Sequence, residues 1–296
     1  MSIPHLGEIL STLAALVWAF SVVLFRLSGR QVGPLALNFF KNTVAMILLL
    51  ATLPFLPEAL HWRAPAVDYA LLVASGVVGI ALADTIFLRS LNVIGAGLSQ
   101  VVNCSYSPFV ILFTFFLLGE RLTVGDALGA ALILGSILFS TAHAPPDGVS
   151  RQDLRKGIGL STLSMALMAL GVTLAKPVLD RSPILWATTI RLAGGLGALA
   201  AIGLAVPQYR KIWASLRPSR AWRVTIPASV LGTYVAMIIW IAGMKFTQAS
   251  TAAILNQSSA VFVLPVAALV LKEAITARKL IAVAMAITGL VLVTLA

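Results

Sequence analysis

The chain consists almost entirely of apolar runs about 20 residues long, separated by short segments that hold most of its charges. A helix needs roughly 20 apolar residues to cross a hydrocarbon core about 30 Å thick. Composition agrees, because 59% of the 296 residues are apolar and only 10% are charged, against roughly 25% in soluble domains. No segment between the runs is long enough for a soluble domain. The sequence therefore predicts a chain embedded in a lipid bilayer.

Turn chemistry divides the chain into ten predicted spans, numbered here in chain order. Breaks include Pro145-Pro146 and Pro183, and Thr123-x-x-Asp126 is a capping box that opens the fifth span. The first run has no preceding Lys or Arg, so we interpret it as a retained helix and not a cleaved signal peptide. The predicted spans are 7–25, 34–55, 68–88, 97–118, 124–142, 157–176, 183–205, 222–244, 250–271 and 277–295.

The distribution of positive charge predicts the orientation of the chain. Of the 21 Lys and Arg residues, 14 lie in or at the edges of the loops after odd-numbered spans, 5 lie in or at the edges of the loops after even-numbered spans, and Lys41 and Arg191 lie deep inside spans. Since cytoplasmic loops carry the excess of Lys and Arg, the odd loops are expected in the cytoplasm and both termini outside it. The net charge of +11 is thus typical of a polytopic membrane protein, and no nucleic-acid partner is expected.

The sequence contains an internal repeat. A shift of 153 residues places Gly79–Thr123 on Gly232–Thr276 without a gap, and a shift of 150 places residues 11–13 on the identical residues 161–163. The most informative identities are polar: Asn103/Asn256, Ser105/Ser258, Glu120/Glu273 and Thr123/Thr276. We therefore divide the single membrane domain into a first repeat, residues 1–146, and a second repeat, residues 147–296.

Each repeat contains five spans, and this odd number means that the second copy enters the bilayer from the opposite side. Inverted repeats are a signature of secondary transporters, whose substrate site lies near the midplane where the halves meet. The predicted fold is an all-α membrane protein with ten transmembrane helices in two inverted five-helix repeats around a central cavity. Two equivalent halves that exchange conformations provide alternating access.

Short motifs resemble a known family. The residues are GERLT at 119–123, KEAIT at 272–276, and Arg191 within Ile-Arg-Leu; Asn42 is the residue aligned with Arg191 in the first repeat, with Lys41 beside it. The chain resembles the drug/metabolite transporter superfamily, specifically its ten-helix EamA-type exporters, and is most similar to bacterial exporters of amino acids. The resemblance implies a central cavity, a location in the bacterial inner membrane, and amino acids, related metabolites or drugs as substrates.

Three charged residues, Lys41, Asp84 and Arg191, lie clearly inside spans, where a charge usually faces a cavity or a partner. Lys41 and Asp84 lie at similar depths in antiparallel neighbours and are predicted to pair, either as a static ion pair or as a gating or ion-coupling site. Asp84 aligns with Met237, so Arg191 has no equivalent acid. Its expected partner is Tyr234, a backbone carbonyl or a substrate carboxylate.

Polar and aromatic residues concentrate at mid-membrane depth in related spans. Amides repeated in symmetry-related helices favour a cavity wall, although small polar residues also hydrogen bond between helices. Glu120 and Glu273, at helix ends, are interpreted as capping residues. The candidate substrate-binding residues are Trp18, Gln100, Asn103, Tyr106, Tyr234, Trp240, Asn256 and Gln257.

The leading functional hypothesis is a secondary exporter of amino acids or similar amphipathic metabolites. A multidrug or phosphorylated-metabolite carrier is the alternative within the superfamily, and a channel or membrane-embedded enzyme the alternative outside it. The sequence has no H-E-x-x-H, G-x-S-x-G or Walker A pattern and a single cysteine, Cys104. We therefore expect no enzyme activity, no cofactor and no metal site. The sequence is compatible with a monomer.

Overall fold

The computed structural model describes residues 5–119, 123–141, 149–247, 252, 255–256 and 258–295, and this part of the chain contains helices but no strand. Six of its helices are long and apolar enough to cross a membrane, and three shorter apolar helices accompany them. The first, second, sixth and seventh spans are formed by Leu6–Ser28, Pro34–Thr52, Arg151–Leu179 and Ile184–Ala205. The fifth and tenth are Val124–Thr141 and Ala277–Leu295. The predicted all-α membrane fold is confirmed.

The third and eighth spans each contain a π-helical segment at the same place. The third span consists of Ala66–Gly76, the π segment Val77–Ala83, and the start of Asp84–Asn103, which kinks at Gly95 and continues into the fourth span. The eighth span consists of Trp222–Ser229, the π segment Val230–Ala236, and Met237–Phe246. Tyr106–Leu118 completes the fourth span, and Ser259–Leu271 forms most of the ninth. Both π segments and both of these last helices are 153 residues apart, so the repeat in the sequence is also a repeat in the backbone.

The two halves pack against each other in a matched pattern. The first span contacts the eighth and ninth, and in the same way the sixth contacts the third and fourth. The fifth and tenth spans pack against one another. Exchanging the halves therefore maps these contacts between the first and sixth spans and their neighbours onto one another. The spans other than the fifth and tenth surround the middle of the molecule.

The structure corrects the alignment of the second and seventh spans. Their helices begin at Pro34 and Ile184, and the buried residues of both recur at an offset of 150. Lys41 is therefore the counterpart of Arg191, and the alignment of Arg191 with Asn42 is wrong by one residue. Both helices are dominated by apolar residues, so the sequence lacks the polar matches that would set their register, whereas helix starts and burial define it.

Glycines allow the third, sixth and seventh spans to approach closely. A Cβ atom added at Gly171 would lie 2.9 Å from the Cα atom of Gly79, and one at Gly195 would lie 2.7 Å from the Cβ atom of Ile80. A Cβ atom at Gly76 would overlap the carbonyl oxygen of Arg191. Small residues at such crossings let helix backbones pack directly in a membrane, and this packing brings the seventh span against the π segment of the third.

A carboxylate from the second half caps a helix of the first half. Gly95 has a φ of 79° and ends the third span, so the next backbone N–H groups have no partner within the helix. The N–H groups of Ala96 and Gly97 donate hydrogen bonds of 2.9 and 3.0 Å to the two carboxylate oxygens of Glu273. This matches the capping role expected for Glu273; Glu120, its equivalent, lies outside the described residues.

Glu273→Ala is expected to lower the stability of the protein by about 1.5–3 kcal/mol, because it leaves two N–H groups without their charged acceptor. Glu273→Gln should have a smaller effect, since its amide retains one acceptor oxygen. Thermal melting of the purified variants in detergent measures both losses of stability. Glu58→Gln, at an exposed position, serves as the control, and a melting temperature unaltered by Glu273→Ala would show that the cap does not stabilise the fold.

Candidate functional site

A cavity of about 110 Å³ lies where the two halves meet. Nine residues singled out from the sequence line it: Trp18, Lys41, Asp84, Gln100, Asn103, Tyr106, Arg191, Trp240 and Asn256. The other lining residues are Ala14, Asn42, Gly79, Ile80, Phe87, Met165, Met168, Gly232, Thr233, Ala236, Met237 and Ser259. The wall therefore draws on four spans of each half, and both π segments contribute to it.

Tyr234 is placed away from this cavity. Its hydroxyl group lies 2.6 Å from the hydroxyl group of Thr52 in the second span. Consecutive helical residues point about a quarter turn apart, so Thr233 faces the cavity while Tyr234 is turned toward the second span. Tyr234 is also not the hydrogen-bond partner of Arg191. Gln257, the other candidate missing from the wall, lies outside the described residues.

Lys41 and Asp84 form the ion pair expected from the sequence. The Lys41 Nζ atom is 2.5 Å from the Asp84 Oδ2 atom, and the two side chains are only 5% and 13% exposed. The Lys41 Nζ atom also lies 5.9 Å from the centre of the Phe25 ring, within the range of a cation–π contact. The pair thus joins the second and third spans at the cavity wall.

Arg191 has a different environment from its counterpart Lys41. It is 3% exposed, its Nε atom donates a 2.7 Å hydrogen bond to the Ser75 hydroxyl oxygen, and Ser75 in turn donates to the Gly171 carbonyl oxygen. The guanidinium carbon lies 5.6 Å from the Trp240 ring. In the described part of the chain, no carboxylate lies within ion-pair distance of Arg191. Its direct contacts are therefore with neutral groups, while Asp84 acts on it electrostatically from beyond ion-pair distance.

Asn42, which was not among the binding residues expected from the sequence, also lines the cavity, and a hydrogen-bond network sets its orientation. Its amide nitrogen donates 2.8 Å hydrogen bonds to the backbone and side-chain oxygens of Asn38, while the Asn38 amide donates to Thr85 and to the Ile80 carbonyl. Because both Asn42 hydrogens are used, its side-chain oxygen remains as an acceptor, without a partner among the described residues. The sequence feature that could have identified Asn42 as a cavity residue is its position next to Lys41 inside an apolar span.

Several buried donors at the cavity find no protein partner within the described residues. They are the Gln100 amide nitrogen, the hydroxyl groups of Tyr106 and Thr233, and the Trp240 indole nitrogen. The Gln100 side-chain oxygen accepts a 3.4 Å hydrogen bond from Ser259, and the Asn103 oxygen accepts a 3.0 Å bond from Ser161. Serines of the second half thus engage the amide oxygens of the first. Buried polar groups are normally paired, so free donors on a cavity wall suit a bound molecule.

Another part of the wall is apolar and aromatic. The Trp18 ring lies 6.0 Å from the Phe87 ring and 6.3 Å from the Phe25 ring, and Met165 and Met168 line the same cavity. Aromatic rings and flexible thioethers pack well against varied apolar groups. The cavity combines this surface with buried donors, so it is suited to a small molecule that has a polar end and an apolar end.

Comparisons with known proteins agree with this architecture. The model of the EamA-like transporter family matches residues 5–142 and 155–295. A protein from Archaeoglobus fulgidus described as an uncharacterized transporter is 24% identical over 190 residues, which cover 62% of this chain and 64% of that protein. A solved protein crystal structure superposes with a TM-score of 0.69 at 18% identity, covering 98% of this chain and 96% of the other. The structural likeness concerns the fold alone.

Proposed function

Because the chain belongs to the EamA-like transporter family, we propose that it exports amino acids or related small amphipathic metabolites across the bacterial inner membrane. One observation carries the proposal: the cavity between the halves places buried hydrogen-bond donors and an aromatic wall around the same space. The donors suit the polar end of such a substrate and the aromatic wall suits its side chain. Trp18, Gln100, Asn103, Tyr106, Trp240 and Asn256 are the proposed binding residues.

Alternating access is part of the proposal, and contacts between the halves at both ends of the third span support it. At one end, Glu273 accepts hydrogen bonds from Ala96 and Gly97. At the other end, Arg181 bonds to Asp68 with a nitrogen–oxygen distance of 2.5 Å. A substrate can leave on one side only if the contacts there break while those on the opposite side remain. By the count of basic residues, the Glu273 end faces the cytoplasm and the termini face the periplasm.

The charges of the cavity favour this substrate class over its rivals in the superfamily. A phosphorylated metabolite needs several basic groups that converge on phosphate. Only Lys41 and Arg191 are basic among the described lining residues, and Asp84 neutralises Lys41. A cationic drug would add positive charge beside the unpaired Arg191. Lys41, Asp84 and Arg191 are proposed to gate the cavity or couple transport to an ion.

Uptake of labelled amino acids into proteoliposomes, with and without a pH gradient, tests the proposed function. We expect saturable flux, which Asn103→Ala and Asn256→Ala each reduce about tenfold, since each loses a hydrogen bond in a desolvated site. Asn92→Ala is the matched control, because the Asn92 amide bonds the Gly29 carbonyl oxygen away from the cavity. Flux that does not saturate would indicate a channel, and flux of phosphate esters or drugs without amino-acid flux would overturn the proposal.

A further inference from the structure

Two cations occupy equivalent positions in the repeats, but among the described residues only Lys41 has an acidic partner. Lys41 and Arg191 are 150 residues apart on helices that begin 150 residues apart. Lys41 meets Asp84 at 2.5 Å, and the residue 153 positions after Asp84 is Met237, which lines the same cavity. The second repeat therefore carries a thioether, on the wall of the cavity that Arg191 also lines, at the position where the first repeat has the carboxylate that pairs with Lys41.

This difference leaves the cavity with an excess of positive charge. Among the described lining residues, Lys41 and Arg191 are the cations and Asp84 is the single carboxylate. The Lys41–Asp84 pair is neutral as a unit, so one positive charge remains at Arg191. A buried charge without a counterion is strongly unfavourable unless polar groups or a partner compensate it. The Ser75 hydroxyl group and the Trp240 ring offer only neutral contacts.

Donors on the same wall point to the chemistry of the missing partner. The Trp240 indole nitrogen, on the ring that lies 5.6 Å from the guanidinium, has no acceptor in the described chain. The hydroxyl groups of Tyr106 and Thr233, which are 2% and 4% exposed, also lack a partner there. A guanidinium together with N–H and O–H donors matches a carboxylate, which accepts several hydrogen bonds and pairs with Arg in a planar, two-pronged geometry.

We propose that Arg191 binds the carboxylate of the transported molecule, which takes the place that an internal acid occupies beside Lys41. The inference rests on the proposed function and narrows it. The carboxylate, and not the ammonium group, is the obligatory feature of the substrate. Met237 is the residue that keeps this position open, since an acid there would neutralise Arg191 from within the protein.

Three related probes separate the two charges of an amino acid: L-phenylalanine, 3-phenylpropionate, which lacks the ammonium group, and phenethylamine, which lacks the carboxylate. Each is tested for saturable flux into proteoliposomes and for raising the melting temperature of the detergent-solubilised protein. We expect the two carboxylates to bind, and phenethylamine to bind at least about tenfold more weakly, the loss expected for one charge-assisted contact.

The most informative variant introduces, at position 237, the acid that the first repeat has at Asp84. Met237→Asp is expected to raise the half-saturation concentration for both carboxylates at least about tenfold, because its carboxylate competes for Arg191. Met237→Asn measures the loss of substrate affinity that comes from changing this side chain of the wall without adding a charge. Met237→Asp should also melt at a higher temperature than Met237→Asn, since only the acid pairs with Arg191, and this readout needs no transport. Arg191→Gln should lose the preference for carboxylates over phenethylamine.

The outcomes are distinguishable. Equal behaviour of Met237→Asp and Met237→Asn in flux and in melting would overturn the inference, as would a carboxylate preference retained in Arg191→Gln. Flux of phenethylamine without flux of either carboxylate would also overturn the inference. The protein would then still be a transporter of small amphipathic molecules. If none of the three probes and no amino acid is bound or transported, the proposed function itself is wrong.

Discussion

Lys41→Met and Asp84→Asn, made separately, are each expected to destabilise the protein by about 3–5 kcal/mol, and together by much less. Each single variant leaves one buried charge without its counterion, whereas the double variant leaves none. The Lys41 and Asp84 side chains are only 5% and 13% exposed, so water compensates little of the loss. Thermal melting followed by gel filtration in detergent measures the three variants, and the double-mutant cycle isolates their coupling.

Asp180→Asn is the matched control for this experiment. Lys176 and Asp180 have the same 2.5 Å nitrogen–oxygen distance, but the Asp180 side chain is 49% exposed, and an exposed pair contributes under about 1 kcal/mol. If a single Lys41 or Asp84 variant were as stable as Asp180→Asn, the expected destabilisation by an unpaired buried charge would be contradicted. Flux through the stable double variant then separates the two roles: a static pair leaves the response to a pH gradient intact, and an ion-coupling pair loses it.

Gly195→Val is expected to destabilise the protein by about 3 kcal/mol or more, because the added Cβ atom meets the core of the molecule. That atom would lie 2.7 Å from the Ile80 Cβ atom and 2.9 Å from the Gly76 carbonyl oxygen. Neither neighbour is the free end of a flexible side chain, so the third and seventh spans must move apart to make room. Such overpacking of a dense core is destabilising. Since Ile80 lines the cavity, flux should fall with stability. The folded yield and melting temperature in detergent measure the loss.

Gly197→Val provides the control within the same helix. A Cβ atom at Gly197 meets nothing within 4 Å, and the residue is exposed. Valine there should change stability by no more than about 0.5 kcal/mol. If the variants at Gly195 and Gly197 melted at the same temperature, the close approach of the third and seventh spans would not be a source of stability.

Much of the candidate site could be predicted from the sequence because charges and amides are rare in apolar spans. Lys41 and Asp84 are conspicuous in such spans, and each has few possible partners, so their pairing follows from depth alone. That Arg191 has no acid at the position equivalent to Asp84 follows from Met237 in the repeat. The sequence did not indicate that Asn42 and Thr233 line the cavity, and it suggested Tyr234, which does not. The reason is that the side of a helix that faces a cavity depends on the rotation of the helix about its axis.

That rotation is set by contacts between spans that are distant in the chain. Helices surrounded by lipid and by other helices are apolar on most faces, so hydrophobic periodicity carries little information about which face is inside. The π segments at Val77–Ala83 and Val230–Ala236 shift the rotation further, and their apolar sequences give no local signal. The one-residue error in aligning Arg191 has the same origin.

The sequence by itself determined the membrane spans, the two repeats and the short list of buried charges. These follow from local requirements, since lipid demands a fixed length of apolar helix and admits few charges. Only the tertiary structure decided that Glu273 caps a helix of the other half, that Arg191 corresponds to Lys41, and that donors from both halves surround one cavity. The cap and the shared cavity arise where the two halves pack together, through contacts between residues more than 100 positions apart in the chain. The correspondence of Arg191 with Lys41 follows from where the two helices begin and which of their residues are buried.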